Sequence, residues 1–225
     1  LETERLHYPK DLYVKTPEQM LGLFKDLPDA VENSAKIADR CDVTFDLTKS
    51  HAPVVRVTGP DKITPFKKGD PTKWFKEQCQ RFTLHPYDSQ VDTDVSEEEL
   101  KKDCDLALLN LCEAGLVWRY GVEGITDEIR ARLERELRIL SDKNISAYFL
   151  IVWDFVDWAR QNNIPANARG SGVGTMVGYV LGLSNACPVK YGLLFERFTD
   201  PDRSEYPDID IDICQDGRGR VIDFV

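Results

Sequence analysis

The chain contains no run of 18 apolar residues, so no segment reads as a transmembrane helix. Its opening, Leu1-Glu2-Thr3-Glu4-Arg5, lacks the apolar core of a secretory leader. Histidine is scarce: His7, His51 and His85 fall at no recognisable metal-binding spacing. The cysteines at 41, 79, 104, 112, 187 and 214 form no C-x-x-C pair and have no histidine at zinc spacing. They read as scattered, reduced thiols, which suits a cytoplasmic protein. Positive charge is in deficit, 29 Lys and Arg against 39 Asp and Glu, for a net charge of −10. That argues against binding nucleic acid through bulk charge, while leaving open a local basic patch or a bound metal. No internal repeat or low-complexity tract occurs. An initiating Met is also missing, and the last residues, Val221-Ile222-Asp223-Phe224-Val225, look like part of a helix. The expectation is a piece of a longer protein.

What is present is enough to build a core: 225 residues, 42% of them apolar, suffice for one large domain or one domain with a helical appendage. Thr16-Pro17-Glu18-Gln19 is a capping box with Pro at the first helical position, followed by Met20, Leu23, Phe24 and Leu27 at helical spacing. Pro28 interrupts, and a second helical run leads to Arg40. From Cys41 to Val95 the pattern weakens under repeated Pro and Gly; a short strand at 54–57 and a short helix around Trp74 are the readable parts. The stretch 51–95 is expected to be a linker or elaborated loop over the surface. Ser96-Glu97-Glu98-Glu99 is a second capping box, opening a helix with Leu100, Cys104, Leu108, Leu111 and Leu116 on its apolar side. A helix from Thr126 follows, with Ile129, Leu133, Leu137 and Leu140 on one face. The run from Ile145 to Gln161 is crowded with aromatics and reads as buried core.

Two motifs carry chemistry. The first is Asn167-Ala168-Arg169-Gly170-Ser171-Gly172-Val173-Gly174-Thr175, ahead of an apolar helical run from Met176. Glycines let a backbone approach an anion, a helix start beyond them points N–H groups at it, and Arg169 and Ser171 add donors. It is neither a P-loop nor a dinucleotide fingerprint, and a tight turn into a packed helix explains it equally well. The second is Pro207-Asp208-Ile209-Asp210-Ile211-Asp212-Ile213. A strand puts its carboxylates on one face and its isoleucines on the other. Carboxylates this close repel. A hard divalent cation such as Mg²⁺ would relieve the repulsion. An EF-hand is excluded, since Ile213 and Gly219 occupy the positions that need Gly and Glu. A solvated, charged edge strand is the alternative. Cradle, cations and carboxylates together are the parts of a metal-assisted phosphoryl or nucleotidyl transfer.

In order and spacing, Tyr148-Phe149-Leu150-Ile151-Val152, Arg169-Gly170-Ser171-Gly172, Leu194-Phe195-Glu196-Arg197-Phe198 and Pro207-Asp208-Ile209-Asp210-Ile211-Asp212 resemble the palm of bacterial replicative C-family DNA polymerases. Arg130 to Leu140 resembles the helix preceding that core. Tyr13 to Met20 and Asn33 to Cys41 resemble the segment that joins the family's N-terminal phosphoesterase-like domain to the palm. The resemblance implies an α+β, helix-rich fold with a partial polymerase-beta-like nucleotidyltransferase palm sheet. It covers residues 10–50 and 96–225, so that the chain divides into a helical joining segment (1–50) and an incomplete palm (96–225), with the linker or loop (51–95) between them outside the resemblance. It implies template-directed DNA synthesis by two-metal nucleotidyl transfer, with two Mg²⁺ ions held by Asp210 and Asp212 and Asp208 in a supporting place. Arg169, Gly170, Ser171, Gly172, Arg197 and Arg203 would meet the nucleotide phosphates. Implied partners are primer-template DNA, deoxynucleoside triphosphates and replicase subunits such as a sliding clamp and a proofreading exonuclease. The family's third catalytic carboxylate falls outside this chain, which alone is expected to be inactive. One departure is Ala166-Asn167-Ala168 where the family usually has Gly-Pro-Gly. A non-templated metal-dependent nucleotidyltransferase, or a non-catalytic scaffold, are the alternative readings.

Overall fold

The computed structural model describes residues 9, 11–44, 54–202 and 207–225. Two compact units divide the chain, Leu1–Lys49 and Ser50–Val225. In the first, α1 (Pro17–Leu23) starts at Thr16, whose hydroxyl accepts from the Gln19 N–H while the Gln19 side chain accepts from the Thr16 N–H. Pro28 begins α2 (Pro28–Ala38), where its missing N–H costs nothing. Neither helix buries a residue.

The second unit is built around α4 (Glu97–Tyr120), capped by the reciprocal Ser96–Glu99 pair the sequence predicts. Leu108, Leu111 and Leu116 on this helix are fully buried. Helix α5 (Asp127–Asp142) starts at Thr126, and α6 (Ser146–Gln161) carries the aromatic run. Asn144 and Asn163 follow their ends in the left-handed region, which Asn tolerates better than most residues. Phe149, Leu150 and Trp153 of α6 are buried, so the aromatic-rich stretch is core. Gly115 on α4 lets the helix sit against the 180–181 backbone: a Cβ there would lie 2.2 Å from the Val180 carbonyl oxygen.

The stretch after residue 53 carries more order than its weak pattern suggests. β1 (Val55–Thr58) and β2 (Thr83–Pro86) pair antiparallel around α3 (Pro71–Cys79). Rather than lying over the surface, Val55, Phe75, Cys79 and Phe82 are buried, and the Phe75 ring stacks on Trp118 of α4 at 4.5 Å. A few large apolar side chains dock this segment, and their spacing is too sparse to show as a period.

The remaining elements position the site. β3 (Ala166–Arg169) leads into a 3₁₀ turn, Gly170–Gly174, and the short α7 (Met176–Val180). β4 (Asp210–Ile213) pairs antiparallel with β3 and is followed by α8 (Gln215–Phe224). The chain is thus helix-rich α+β, with two small two-stranded sheets among the described residues. All six cysteines are free thiols, four of them buried. No helix among the described residues is long and apolar enough to cross a membrane.

Candidate functional site

The two motifs of the sequence meet in one strand pair. Its register sets Arg169 opposite Asp210, Ala168 opposite Ile211, Asn167 opposite Asp212 and Ala166 opposite Ile213. Opposed residues of an antiparallel pair share a face. Ala166, Ala168 and Ile211 pack on the core, and Ile209 just before the strand is buried. Arg169, Asn167, Asp210 and Asp212 therefore share the outer face. The free edge of β3 is partly covered, as the Ala168 N–H donates to the Leu183 carbonyl at 2.6 Å.

Arg169 spans the two aspartates. Its Nη1 lies 3.2 Å from Asp210 Oδ2 and its Nε 3.1 Å from Asp212 Oδ1. Asp208 stands apart. Its carboxylate accepts from the Tyr148 hydroxyl at 3.4 Å, and the same hydroxyl accepts the Ile209 N–H at 2.9 Å. Partial burial, first of all, raises the Tyr148 phenol above its ordinary value, so it stays protonated and able to donate. Tyr148 on α6 thereby ties down the entry to β4.

Beyond Arg169 the chain turns at Gly170, whose φ of +66° a side chain would strain. The turn lines a cleft of about 380 Å³ with Gly170, Ser171 and Val173 on one side and Leu193, Leu194 and Arg197 on the other. Arg197 is exposed there, so the structure brings together the cradle and one of the two downstream arginines. Arg203 lies outside the described residues. Gly172 is buried against Ile209.

One expectation is corrected. The N–H groups at the start of α7 do not point at an open anion site. Glu136 of α5 accepts from Met176 N at 2.7 Å and Val177 N at 3.1 Å, and the Thr175 hydroxyl accepts from Gly178 N. Glu136 is fully buried and paired with Arg132, whose guanidinium also donates to the carbonyls of Gly174 and Leu193. The helix dipole is met from within the protein. Any phosphate would have to be held by the turn, Ser171 and the arginines. The sequence marks the burial of Glu136, though not its partners: it sits in the apolar stripe of α5, three residues after Leu133 and four before Leu140.

Among the described residues no three His, Cys, Asp or Glu side chains gather as a metal cluster. The acidic pair nevertheless suits a hard divalent cation. Two carboxylates share one face with no thiol or imidazole between them, and a cationic group already bridges them. Mg²⁺ needs only one or two protein carboxylates beside water and phosphate oxygens.

Residues 106–225 match the family described as bacterial DNA polymerase III alpha NTPase domain. The proteins named DNA polymerase III subunit alpha from Chlamydia pneumoniae, Campylobacter jejuni and Pseudomonas fluorescens are 34%, 36% and 36% identical to the chain, over 98%, 97% and 97% of it. The chain spans only 16%, 17% and 16% of those relatives' lengths.

Proposed function

The chain belongs to the bacterial DNA polymerase III alpha family, and from that premise we propose that it forms part of the nucleotidyl-transfer centre of a replicative DNA polymerase. The observation that carries the reading is the placement of Asp210 and Asp212 side by side on the outer face of β4, against the Arg169-Gly170-Ser171 turn. Residues 96–225 would supply the first part of the palm, residues 1–50 the helical join to an upstream phosphoesterase-like domain, and residues 51–95 the linker between them.

Two Mg²⁺ ions, when bound, supply charge neutralisation at the attacking primer hydroxyl and at the leaving pyrophosphate. Asp210 and Asp212 would hold them. Gly170, Ser171 and Gly172 would shape the turn that receives the triphosphate, with Arg169, Arg197 and Arg203 as cations toward it. The substrates would be primer-template DNA and deoxynucleoside triphosphates, with a sliding clamp and a proofreading exonuclease as partners of the full-length protein in the cytoplasm. The net charge of −10 does not oppose this reading, since DNA would be met by local cations and bound metal rather than by the whole surface.

The test is primer extension by the full-length protein with Asp210→Asn or Asp212→Asn. Synthesis should fall at least about a thousandfold, the scale of several kcal/mol of lost charge stabilisation. Undiminished synthesis would overturn the proposal. Extension that continues without a template strand would favour a non-templated transferase.

A further inference from the structure

Arg169 is placed where a metal ion would have to go. The two oxygens it engages, Asp210 Oδ2 and Asp212 Oδ1, belong to the carboxylates read above as metal ligands. This contact follows from the backbone, since Arg169 is the register partner of Asp210 and shares its face of the strand pair. A planar guanidinium has donors in two directions and can satisfy both carboxylates at once, which a lysine could not match. The repulsion between neighbouring aspartates is therefore offset by a cation that the chain carries itself. Yet an oxygen bonded to a guanidinium has a lone pair fewer to offer a metal, and two cations cannot share so small a space.

The side chain is also able to leave. It is 60% exposed. The residue after it is Gly170 at positive φ, and the cleft lined by Gly170, Ser171 and Arg197 opens beside it.

We propose that Arg169 is a resident counter-ion: it closes the Asp210–Asp212 pair until a divalent cation displaces it, and the freed guanidinium then turns to phosphate in the adjoining cleft. The inference rests on the reading of Asp210 and Asp212 as metal ligands. It makes metal and nucleotide cooperative, because phosphate gives the displaced arm a new partner and so eases its departure from the carboxylates.

Binding of Mn²⁺ alone to the full-length protein, followed by electron paramagnetic resonance of the free ion, tests the idea without recourse to activity. The relevant portion of the binding is that lost in Asp210→Asn. For this portion, Arg169→Gln should bind Mn²⁺ about three- to tenfold more tightly than wild type, the factor that one or two exposed ion pairs carry. Arg169→Lys should fall between the two. Arg197→Gln removes an equal charge from the same cleft without touching either carboxylate and should tighten Mn²⁺ binding by less than Arg169→Gln does. Thermal melts give an independent measure: Mn²⁺ should raise the midpoint of Arg169→Gln more than that of wild type. If Arg169→Gln binds Mn²⁺ no better than wild type, or only as much better as Arg197→Gln does, the counter-ion role is overturned while the metal site stands. If no portion of the binding depends on Asp210 or Asp212, the metal reading fails and the counter-ion role with it.

Discussion

Glu136 carries a carboxylate into a helix face that otherwise buries Ile129, Leu133 and Leu140. Burial, the largest influence, pushes its carboxyl above the usual range, and the Met176 and Val177 N–H groups and Arg132 pull the other way. A charge in such a place is tolerated only with a full set of partners, and the partners here are the orphan donors of α7 and a guanidinium. Glu136→Ala would strand Arg132 and two backbone N–H groups together. Urea denaturation should show a loss of about 3–5 kcal/mol, the range for breaking one side of a buried pair. Tyr148 works on the same scale with less at stake, one hydroxyl tying Ile209 and Asp208 to α6. Neither partnership could be read from the sequence. Glu136 and Met176 are 40 positions apart and Tyr148 and Ile209 are 61 apart, and periodicity has no reach over such distances.

Elements whose signals are local were the legible ones. Thr16 with Gln19, Ser96 with Glu99, and Thr126 each announce a helix start because the cap and its target lie within three residues. The Ile-Asp alternation likewise shows its two faces without knowledge of the partner strand. The β3–β4 pairing, by contrast, needs the chain to return over some forty residues, and β2 is a four-residue strand with no alternation to betray it. The cap of α4 also has a measurable consequence. The Ser96 backbone N–H, and then its hydroxyl, hold the Glu99 carboxyl below its ordinary value of 4.5. A lowered carboxylate stabilises the fold above its unfolded value and loses that contribution as pH falls through the folded one. Stability measured by denaturation should therefore drop on acidification below about pH 4.5. Glu99→Gln, which keeps the cap's shape without the charge, should show a shallower drop than wild type.

Across the whole molecule, burial is concentrated in one of the two units. The helices of Leu1–Lys49 bury nothing, whereas α4, α6 and α7 share a continuous core. A chain beginning at Ser50 should melt within about 2 °C of the full 225 residues, since per-domain shifts of that size correspond to less than 1 kcal/mol. A fall of 10 °C or more would show that the first unit stabilises the second. The core also determines what the carboxylate strand can do wrong. Side chains alternate along β4, so a slip of one residue against β3 would turn Asp210 and Asp212 inward and Ile211 to water. Such a chain would bury two charges with no cation opposite them and would come apart again before it could persist. The alternation read first as a metal motif is, on this view, equally a safeguard of folding fidelity. A misregistered strand pair is disfavoured by its own electrostatics, so folded chains carry the acidic pair facing outward.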